Sequence, residues 1–323
     1  MSFTWRDGER LIRFGRGTAA EAVELLGGAG YTLLTTERAA AAAPHVVEAA
    51  GAVHHVGHGL VEELAAALRP EVAGDRIVAL GGGRVVDVAK ALAADGGGRA
   101  MALPTTLSGA EMTRGHRRIP GSERPKVRPA VVINDPALSA SQDPPELVAS
   151  ALNALGHAVE GPCTPLANPV STLAAHDAAR RLVGATGPNQ VDRDAIALGA
   201  LLAGYALDAS AFGLHHVLAQ TLVRVAGVAH AAANAVMLAH SIGALAWRFP
   251  RQHEALAAAL GQDPAAAAAR LCALTGSTRL SQLGVGSDAL AGCAEMAAQR
   301  PELANTAPAA DRAEIRALYE NAF

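Results

Sequence analysis

The sequence predicts an α/β domain over residues 1–142, followed by an all-helical domain over residues 143–323. In the first part, short runs of β-branched and apolar residues alternate with helical patterns, which favours a parallel sheet with crossover helices. Beyond about Pro145 the periodic segments have helical spacing, and no strand pattern follows. With 323 residues, 50% of them hydrophobic, the chain can bury two cores of ordinary size.

Composition narrows the functional classes. The formal net charge is -3, so neither nucleic acid nor an anionic membrane is an expected partner. The three cysteines follow no zinc-finger pattern and indicate reduced thiols. The N-terminus lacks an apolar signal segment, and no uninterrupted apolar run reaches the ~18 residues that a membrane span needs. We therefore expect a cytoplasmic protein that acts on a small molecule.

The elements of both domains are predicted in chain order from residue patterns. Strands are expected at Arg10–Phe14, Tyr31–Thr36, Val46–Ala50, Arg76–Leu80, Ala100–Leu103 and Ala130–Ile133. Helices of the first domain are expected at Thr18–Leu26, Leu60–Leu68 and Val85–Ala94. Helices of the second domain are expected at Leu147–Val159, Val170–Val183, Arg193–Ser210, Leu214–Val223, Ala231–Ala246, His253–Leu260, Ala265–Leu274, Asp288–Ala298 and Ala313–Phe323.

A glycine loop follows the clearest buried strand. The segment Ile77–Ala94, IVALGGGRVVDVAKALAA, joins that strand to a helix through Gly81, Gly82 and Gly83. Glycines let backbone N–H groups approach an anion, and a helix N-terminus adds positive potential, so the loop is a candidate phosphate cradle. Asp87, one helical turn further on, could reach back to a ribose or amide group. The alternative is a tight strand–helix turn that needs only small residues.

Two other features bear on a nucleotide cofactor. Glu37 closes the second strand, where a carboxylate can accept hydrogen bonds from the adenosine ribose and would repel a 2′-phosphate. NAD(H) is therefore expected rather than NADP(H), although a solvated loop charge is the alternative. In the loop Leu103–Thr113, the hydroxyls of Thr105 and Thr106 suit phosphate or nicotinamide binding, and equally suit an ordinary cap and turn.

A basic segment, RGHRRIPGSERPKVRP, comes after this loop. Arg117, Arg118 and Lys126 are its candidate anion-binding residues, since cations near a nucleotide site could hold a dicarboxylate substrate. The alternative is a solvated surface loop, in which such charges contribute little.

Histidines cluster in the helical domain. Asn153 and His157 are four residues apart in NALGHAVE and share one helix face. His215, His216 and His230 fall within eighteen residues of apolar helical sequence, where a histidine needs hydrogen-bond partners. One amide oxygen with the imidazoles of three histidines suits Fe²⁺ or Zn²⁺, although a neutral oxygen is a weak ligand. The alternatives are a polar pocket that binds substrate directly and histidines bonded within a core.

These motifs together resemble the iron-containing alcohol dehydrogenase superfamily, and within it most closely the maleylacetate reductases. FTWRDGERLIRFGRGT is similar to the family's opening hairpin and first strand, and GGGRVVDVAKALA is similar to its GGGSxxDxAK phosphate loop. PTTLSGAEMT resembles the reductases' PTT-x-x-G-x-E-M-T. NALGHAVE, GLHH and GVAH resemble three motifs of the helical domain, and RAEIRALYENAF resembles its final helix. The resemblance covers nearly the whole chain.

The resemblance implies a dehydroquinate synthase-like fold and hydride transfer from NAD(P)H by a homodimer. The implied reaction is reduction of maleylacetate to 3-oxoadipate, in the breakdown of aromatic compounds. From the residue patterns and the resemblance together, the expected cofactor-binding residues are Glu37, Gly81, Gly82, Gly83, Asp87, Thr105, Thr106 and Lys126. Alcohol dehydrogenase members hold Fe²⁺ or Zn²⁺ with an Asp and three His, and maleylacetate reductases often carry Asn at the first position. The corresponding residues here are Asn153, His157, His216 and His230.

The sequence departs from the family in the PTT loop, with Ser108-Gly109-Ala110 and a shortened segment before Lys126, and at two single positions. Arg84 replaces the serine of the phosphate loop, and Gln220 replaces a histidine that borders the substrate. A glutamine cannot titrate, so Gln220 can contact substrate but cannot act as a general acid or base. We expect His157, His216 and His230 to stabilise negative charge on the substrate, directly or through a metal, with His215 as a candidate proton donor or anion contact. The alternatives are a metal-dependent dehydrogenase of a small alcohol, aldehyde or ketone, and a diverged non-redox relative in another pathway.

Overall fold

The computed structural model describes residues 1–187 and 191–323. The chain divides into two compact units, Met1–Gln142 and Asp143–Phe323. The first unit contains helices and strands, and the described part of the second is built almost entirely from helices.

A mixed sheet forms the centre of the first unit, all of whose residues are described. Seven strands make up this sheet: β1 Phe3–Asp7, β2 Arg10–Phe14, β3 Thr32–Thr35, β4 Ala52–His55, β5 Arg76–Gly81, β6 Arg99–Pro104 and β7 Val131–Asn134. In space the strands run β1-β2-β7-β6-β5-β3-β4. β1 and β2 form an antiparallel hairpin, and the other neighbouring strands are parallel. The prediction of a parallel sheet is confirmed, with one antiparallel edge strand added.

Helices and apolar side chains cover both faces of this sheet. The helices of the first unit are α1 Ala22–Leu25, α2 Glu37–Ala42, α3 Pro44–Glu48, α4 Val61–Leu68 and α5 Gly83–Gly96. Along β5, Ile77 and Ala79 belong to the cluster that includes α5, whereas Val78 and Leu80 belong to the cluster on the opposite face. A strand buried on both faces has a continuous apolar sequence, so its pattern was easy to identify.

The region between β3 and β5 differs from the prediction. Val46–Ala50 is not a strand, because α3 begins at Pro44 and carries Val46 into the core. Proline suits the first position of a helix, where its fixed φ helps and its missing N–H costs nothing. The strand follows at β4, Ala52–His55. Helix α2 was also missed, although its cap is typical: the Thr36 hydroxyl accepts a hydrogen bond from the Ala39 amide.

The helices predicted for the second unit are present, with their ends shifted by a few residues. They are α6 Pro144–Glu160, α7 Pro169–Gly184, α8 Arg193–Ser210, α9 Leu214–Ala226, α10 His230–Arg248, α11 Pro250–Leu260, α12 Pro264–Ala273, α13 Ala289–Ala298 and α14 Arg312–Ala322. Several begin with an Asp or Asn cap followed by proline, as at Asp143, Asn168 and Asp263. Among the described residues no single helix is long and apolar enough to cross a membrane. Helices α8 and α9 meet the length and hydropathy requirement only when taken together, and they are bent by 103° relative to each other.

Helix α6 is buried on all sides. Every residue from Leu147 to Glu160 is buried, and the helix packs against α7, α8 and α10. Its polar side chains Ser150, Asn153, His157 and Glu160 are spaced by three, four and three residues, so they share one face. A polar stripe on a fully buried helix requires polar surroundings, and the start of α9 supplies some of them, since the amides of His215 and His216 donate to Glu160.

Candidate functional site

The polar stripe of α6 lies against the histidines of α9. The rings of His157 and His216 stack with centroids 4.4 Å apart, and the ring of His215 meets His216 edge-on at 4.8 Å. His230 begins α10 and is exposed, yet it lies close enough to lower the pKa of all three. The structure therefore brings together the four predicted histidines, which we call the histidine cluster.

Glu160 organises the cluster, although it was not predicted as a site residue. Its carboxylate accepts hydrogen bonds from the backbone amides of His215 at 2.6 Å and His216 at 3.5 Å. It therefore caps α9, whose cap residue Gly213 has no side chain to do so. The same carboxylate lies 2.9 Å from Nδ1 of His216. An ionised Glu160 can only accept, so it fixes His216 with the proton on Nδ1 and a lone pair on Nε2.

His215 is enclosed by three helices. Its Nδ1 lies 3.0 Å from the Ser241 hydroxyl, which itself donates to the carbonyl of Met237. The serine oxygen is therefore the acceptor, and His215 also carries its proton on Nδ1. A Cβ added at Gly156 would lie 2.5 Å from Nε2 of His215, so the ring packs directly on the backbone of α6. This geometry favours a packing role for His215 over the expected proton donation.

Burial keeps the cluster neutral. It lowers the pKa of His215 and of His216 to about 3, and it lowers the pKa of His157 well below the ordinary value. Repulsion from neighbouring histidines adds to this effect in each case. Among the described residues, Nε2 of His216 and Oδ1 of Asn153 have no hydrogen-bond partner. The buried side of the site thus offers lone pairs rather than positive charge.

The residues present do not fit a resident Fe²⁺ or Zn²⁺. Within 1–187 and 191–323, no three His, Cys, Asp or Glu side chains are grouped so that they could hold a metal ion. The only oxygen in the predicted set is the neutral amide of Asn153, whereas anionic ligands raise affinity for a divalent cation. The carboxylate of Glu160 is engaged by His216 and by the start of α9. The ligand set Asn153, His157, His216 and His230 stays a prediction.

Gln220 lies on α9 one turn beyond His216 and is half-buried. Its Oε1 accepts a hydrogen bond of 3.1 Å from Nη2 of Arg300. The same guanidinium donates to both carboxylate oxygens of Glu302, each at 2.9 Å. Neither Arg300 nor Glu302 was predicted from the sequence as a site residue.

In the first unit, the two predicted cofactor loops pack together. Gly82 is the cap residue of α5, and an added Cβ would lie 3.1 Å from Thr106. A Cβ at Gly83 would lie 2.7 Å from the hydroxyl oxygen of Ser108. The Thr105 amide donates to the carbonyl of Gly81 at 3.0 Å. These glycines are needed because the second loop approaches so closely, and a bare backbone at the start of a long helix remains available to an anion.

Lys90 of α5 holds the loop that follows β6, and it was not predicted as a site residue. Its fully buried ammonium donates to the carbonyls of Ala110, Thr113 and Gly115 at 2.6 to 3.1 Å. It also pairs with Asp87 at 2.8 Å. Three carbonyls and a carboxylate satisfy the buried cation, so the lysine fixes the loop. Asp87 is thereby part of this support as well as a predicted cofactor contact.

The remaining predicted cofactor and substrate residues are exposed. Glu37 is in the first turn of α2, where a carboxylate interacts favourably with the helix dipole, so its position has a structural explanation. Partial desolvation lowers the pKa of Lys126, and the nearby guanidinium groups of Arg118 and Arg117 lower it further. Arg84 extends toward the end of β4, where Nη1 lies 3.4 Å from His58 Nδ1.

Two family models match the chain. The C-terminal model of the Fe-containing alcohol dehydrogenase family matches residues 147–323, and an iron-containing alcohol dehydrogenase model matches residues 25–114. The chain belongs to the iron-containing alcohol dehydrogenase family. It is therefore an oxidoreductase, and the family implies NAD(P) as cofactor. The predicted fold class is confirmed.

Relatives place the chain in the maleylacetate reductase branch of the iron-containing alcohol dehydrogenases. Maleylacetate reductase 2 of Cupriavidus pinatubonensis is 37% identical over 69% of this chain and 66% of its own length. Maleylacetate reductase of Sphingobium indicum is 31% identical over 93% of this chain and 92% of its own. The crystal structure of maleylacetate reductase from Agrobacterium tumefaciens superposes with a TM-score of 0.84 at 28% identity, covering 99% of this chain and 97% of that one.

The site residues that sequence reasoning missed carry a common signal. Glu160 and Lys90 are charged residues within otherwise apolar helical runs, and such residues are almost never fully buried unless they are paired. Each could therefore have been identified as a residue with an obligatory partner. Arg300 gave no such signal, because it lies between α13 and a short 3₁₀ helix in a polar stretch.

Proposed function

We propose that this chain reduces maleylacetate to 3-oxoadipate with a reduced nicotinamide cofactor. The observation that carries the proposal is the amide of Asn153, buried one turn before His157, in a chain 31% identical to a maleylacetate reductase over 93% of its length. The neutral amide of Asn153 beside neutral imidazoles suits the reduction of a carbon–carbon double bond, in which hydrogen bonds assist the reaction.

The cofactor would bind the first unit. The amides at the start of α5, exposed through Gly81, Gly82 and Gly83, would hold the pyrophosphate. Thr105 and Thr106 would contact the phosphate or nicotinamide. The further residues that we assign to the cofactor are Asp87 and Lys126. A preference for NADH over NADPH rests on Glu37, whose carboxylate would repel a 2′-phosphate.

The chemistry is a hydride transfer followed by a proton transfer. Hydride from nicotinamide C4 adds to the alkene carbon β to the ketone, and the π electrons move onto the ketone oxygen as an enolate. Protonation of the other alkene carbon gives 3-oxoadipate and consumes one proton for each NAD(P)H. The protein must bind two carboxylates, hold the enolate oxygen with donors and supply that proton.

The residues have distinct proposed roles. A neutral His157 has one ring N–H to donate to the substrate. His230, which is exposed, would exchange protons with solvent. The Nε2 lone pair of His216, which Glu160 holds in position, would accept a hydrogen bond from a water molecule in the site, because the dianionic substrate has no N–H or O–H to donate. Arg117 and Arg118 would hold carboxylate groups of the dianionic substrate. No step uses a metal ion, and we expect a cytoplasmic homodimer.

The test is oxidation of NADH and of NADPH by purified protein with maleylacetate, with 3-oxoadipate identified as the product. We expect turnover with maleylacetate, and His216→Gln to lower kcat/KM by roughly 10²-fold, the usual effect of losing one oriented polar group in an active site. A panel of small aldehydes and ketones, with and without added Fe²⁺ or Zn²⁺, serves as the comparison. Oxidation of the cofactor by those compounds alone would reject the proposal.

A further inference from the structure

Arg300 fixes the orientation of the Gln220 side chain. A guanidinium has donors only, so the amide atom that meets Nη2 of Arg300 at 3.1 Å must be the oxygen. The NH₂ group of Gln220 therefore points away from Arg300. Within the described residues this nitrogen has no hydrogen-bond partner in the protein, and the side chain is only half-buried. Gln220 is thus held as a hydrogen-bond donor with both amide hydrogens available.

The orienting arginine is itself held rigidly. Glu302 binds it through two parallel hydrogen bonds of 2.9 Å, a geometry that fixes the guanidinium plane. Pro301–Thr306 forms a 3₁₀ helix that is fastened to the start of α9. There the Leu214 amide donates to the Thr306 hydroxyl at 3.1 Å, and Asn305 donates to the carbonyl of Phe212 at 2.7 Å. These contacts keep Arg300 close to α9.

The two imidazoles of α9 near Gln220 offer acceptors rather than donors. Gln220 follows His216 by four residues, so their Cβ atoms lie about 5–6 Å apart on the same face of α9. The Nδ1 protons of His215 and His216 are directed at Ser241 and Glu160, and their Nε2 atoms present lone pairs. Reduction of an enone creates negative charge on oxygen, and lone pairs cannot stabilise it. The amide of Gln220 supplies a donor of the required polarity.

We propose that Gln220 donates its side-chain N–H to the substrate oxygen that becomes negative when hydride is transferred, and that Arg300 and Glu302 are its positioning residues. This inference rests on the proposed function. Gln220 would act in the transition state more than in substrate binding, so its loss affects kcat rather than KM. Because an amide does not titrate, the contribution is independent of pH.

The experiment compares four variants with wild type in the steady-state reduction of maleylacetate. Gln220→Leu removes the amide, and Gln220→Glu keeps an acceptor for Arg300 while removing the N–H. We expect each to lower kcat by about 10–100-fold with KM changed by less than about 3-fold. Arg300→Met frees the amide and should lower kcat by about 10-fold. Arg300→Lys, which still donates to Oε1, should recover most of that loss.

Gln299→Leu is the matched control, because Gln299 is an exposed glutamine beside Arg300 that bonds Glu295. It should leave kcat and KM at wild-type values. Unchanged kcat in both Gln220 variants would overturn the proposal. A rise in KM alone would overturn it too, because that result indicates contact with a carboxylate of the bound substrate.

A binding measurement separates this inference from the proposed function. The nitronate of 3-nitropropionate mimics an enolate beside a carboxylate, and calorimetric titration measures its Kd without turnover. We expect binding at least about 10-fold weaker in Gln220→Leu than in wild type and in Gln299→Leu. If wild type fails to reduce maleylacetate yet shows this difference, the function is wrong and the inference stands. Equal affinity in all three proteins overturns the inference.

Discussion

At the scale of single residues, a glycine and a glutamate decide how the histidines are presented. Gly156 leaves room for the ring of His215 against α6, and Glu160 both caps α9 and fixes the tautomer of His216. Both residues belong to the motif NALGHAVE, yet neither was predicted from the sequence as a site residue. Their function is to hold two neutral imidazoles in defined positions, which costs less than holding charged ones in a buried site.

Gly156→Ala tests this arrangement. The new Cβ would lie 2.5 Å from Nε2 of His215, so the ring must move and disturb its bond to Ser241. We expect a loss of about 1–3 kcal/mol in the free energy of unfolding, the usual range for overpacking a core, together with lower activity. Urea unfolding followed by circular dichroism measures the change.

Gly243→Ala is the matched control for that variant. Gly243 lies inside α10, and nothing lies within 4 Å of an added Cβ. Alanine has the higher helix propensity, so this variant should be more stable by about 0.5–1 kcal/mol. Equal stability of the two alanine variants would contradict the packing that we describe around His215.

At the scale of elements, the glycine loop and the loop after β6 form one structure. The close approach of Ser108 to Gly83 explains why a small residue is needed there without any unusual backbone angle. In Gly83→Ala, the Cβ would lie 2.8 Å from the Cβ of Ser108 and push the loops apart. We expect about 10-fold weaker NADH binding, measured by fluorescence titration, because amides aimed at a phosphate lose their alignment.

Gly96→Ala provides the comparison, since Gly96 ends the same helix and an added Cβ meets nothing within 4 Å. NADH affinity in this variant should match wild type. If Gly83→Ala also bound NADH with wild-type affinity, the glycine loop would not hold the pyrophosphate. The loop would then be only a tight strand–helix turn that needs small residues.

Elements with a strong pattern could be predicted, and those formed by context could not. β5 and α8 were identified within a residue because continuous burial or regular spacing marks them. β4 was misplaced because it is an edge strand whose side chains are mostly exposed, so its sequence lacks the expected alternation. In the site, the histidines were recognisable by clustering. Their tautomers, and the bond between Gln220 and Arg300, depend on contacts between residues 26 to 80 positions apart, which no local pattern encodes.

At the scale of the whole molecule, the two units should respond differently to acid. In residues 143–323, burial lowers the pKa of His157, His215 and His216, so these groups take up protons only on unfolding. Their contribution to stability is complete above pH about 6.5 and is lost as pH falls toward 3. Glu160 opposes this trend, because burial raises its pKa, but it is one group against three.

In residues 1–142 the two buried groups Glu111 and His116 act in opposite directions. Burial raises the pKa of Glu111 to about 7, so the folded state holds a proton that the unfolded state releases above pH 4.5, and this contribution grows as pH falls from 7 to 4.5. Burial lowers the pKa of His116, which works in the opposite direction below pH 6.5. We therefore expect the first unit to lose less stability than the second between pH 6.5 and 4.5.

Hydrogen exchange with mass spectrometry, corrected for intrinsic rates, would resolve the two units between pH 6.5 and 4.5. We expect the opening free energy of peptides from α6, α9 and α10 to fall by up to ~1.4 kcal/mol per pH unit for each buried histidine, while that of β5 and β6 falls less steeply. In His215→Gln, the opening free energy of α6, α9 and α10 should fall less steeply with decreasing pH, because one fewer proton is taken up on unfolding. Glu111→Gln should make β5 and β6 lose stability on acidification, because His116 is then unopposed. Parallel slopes in both units of wild type would contradict this assignment of the buried charges.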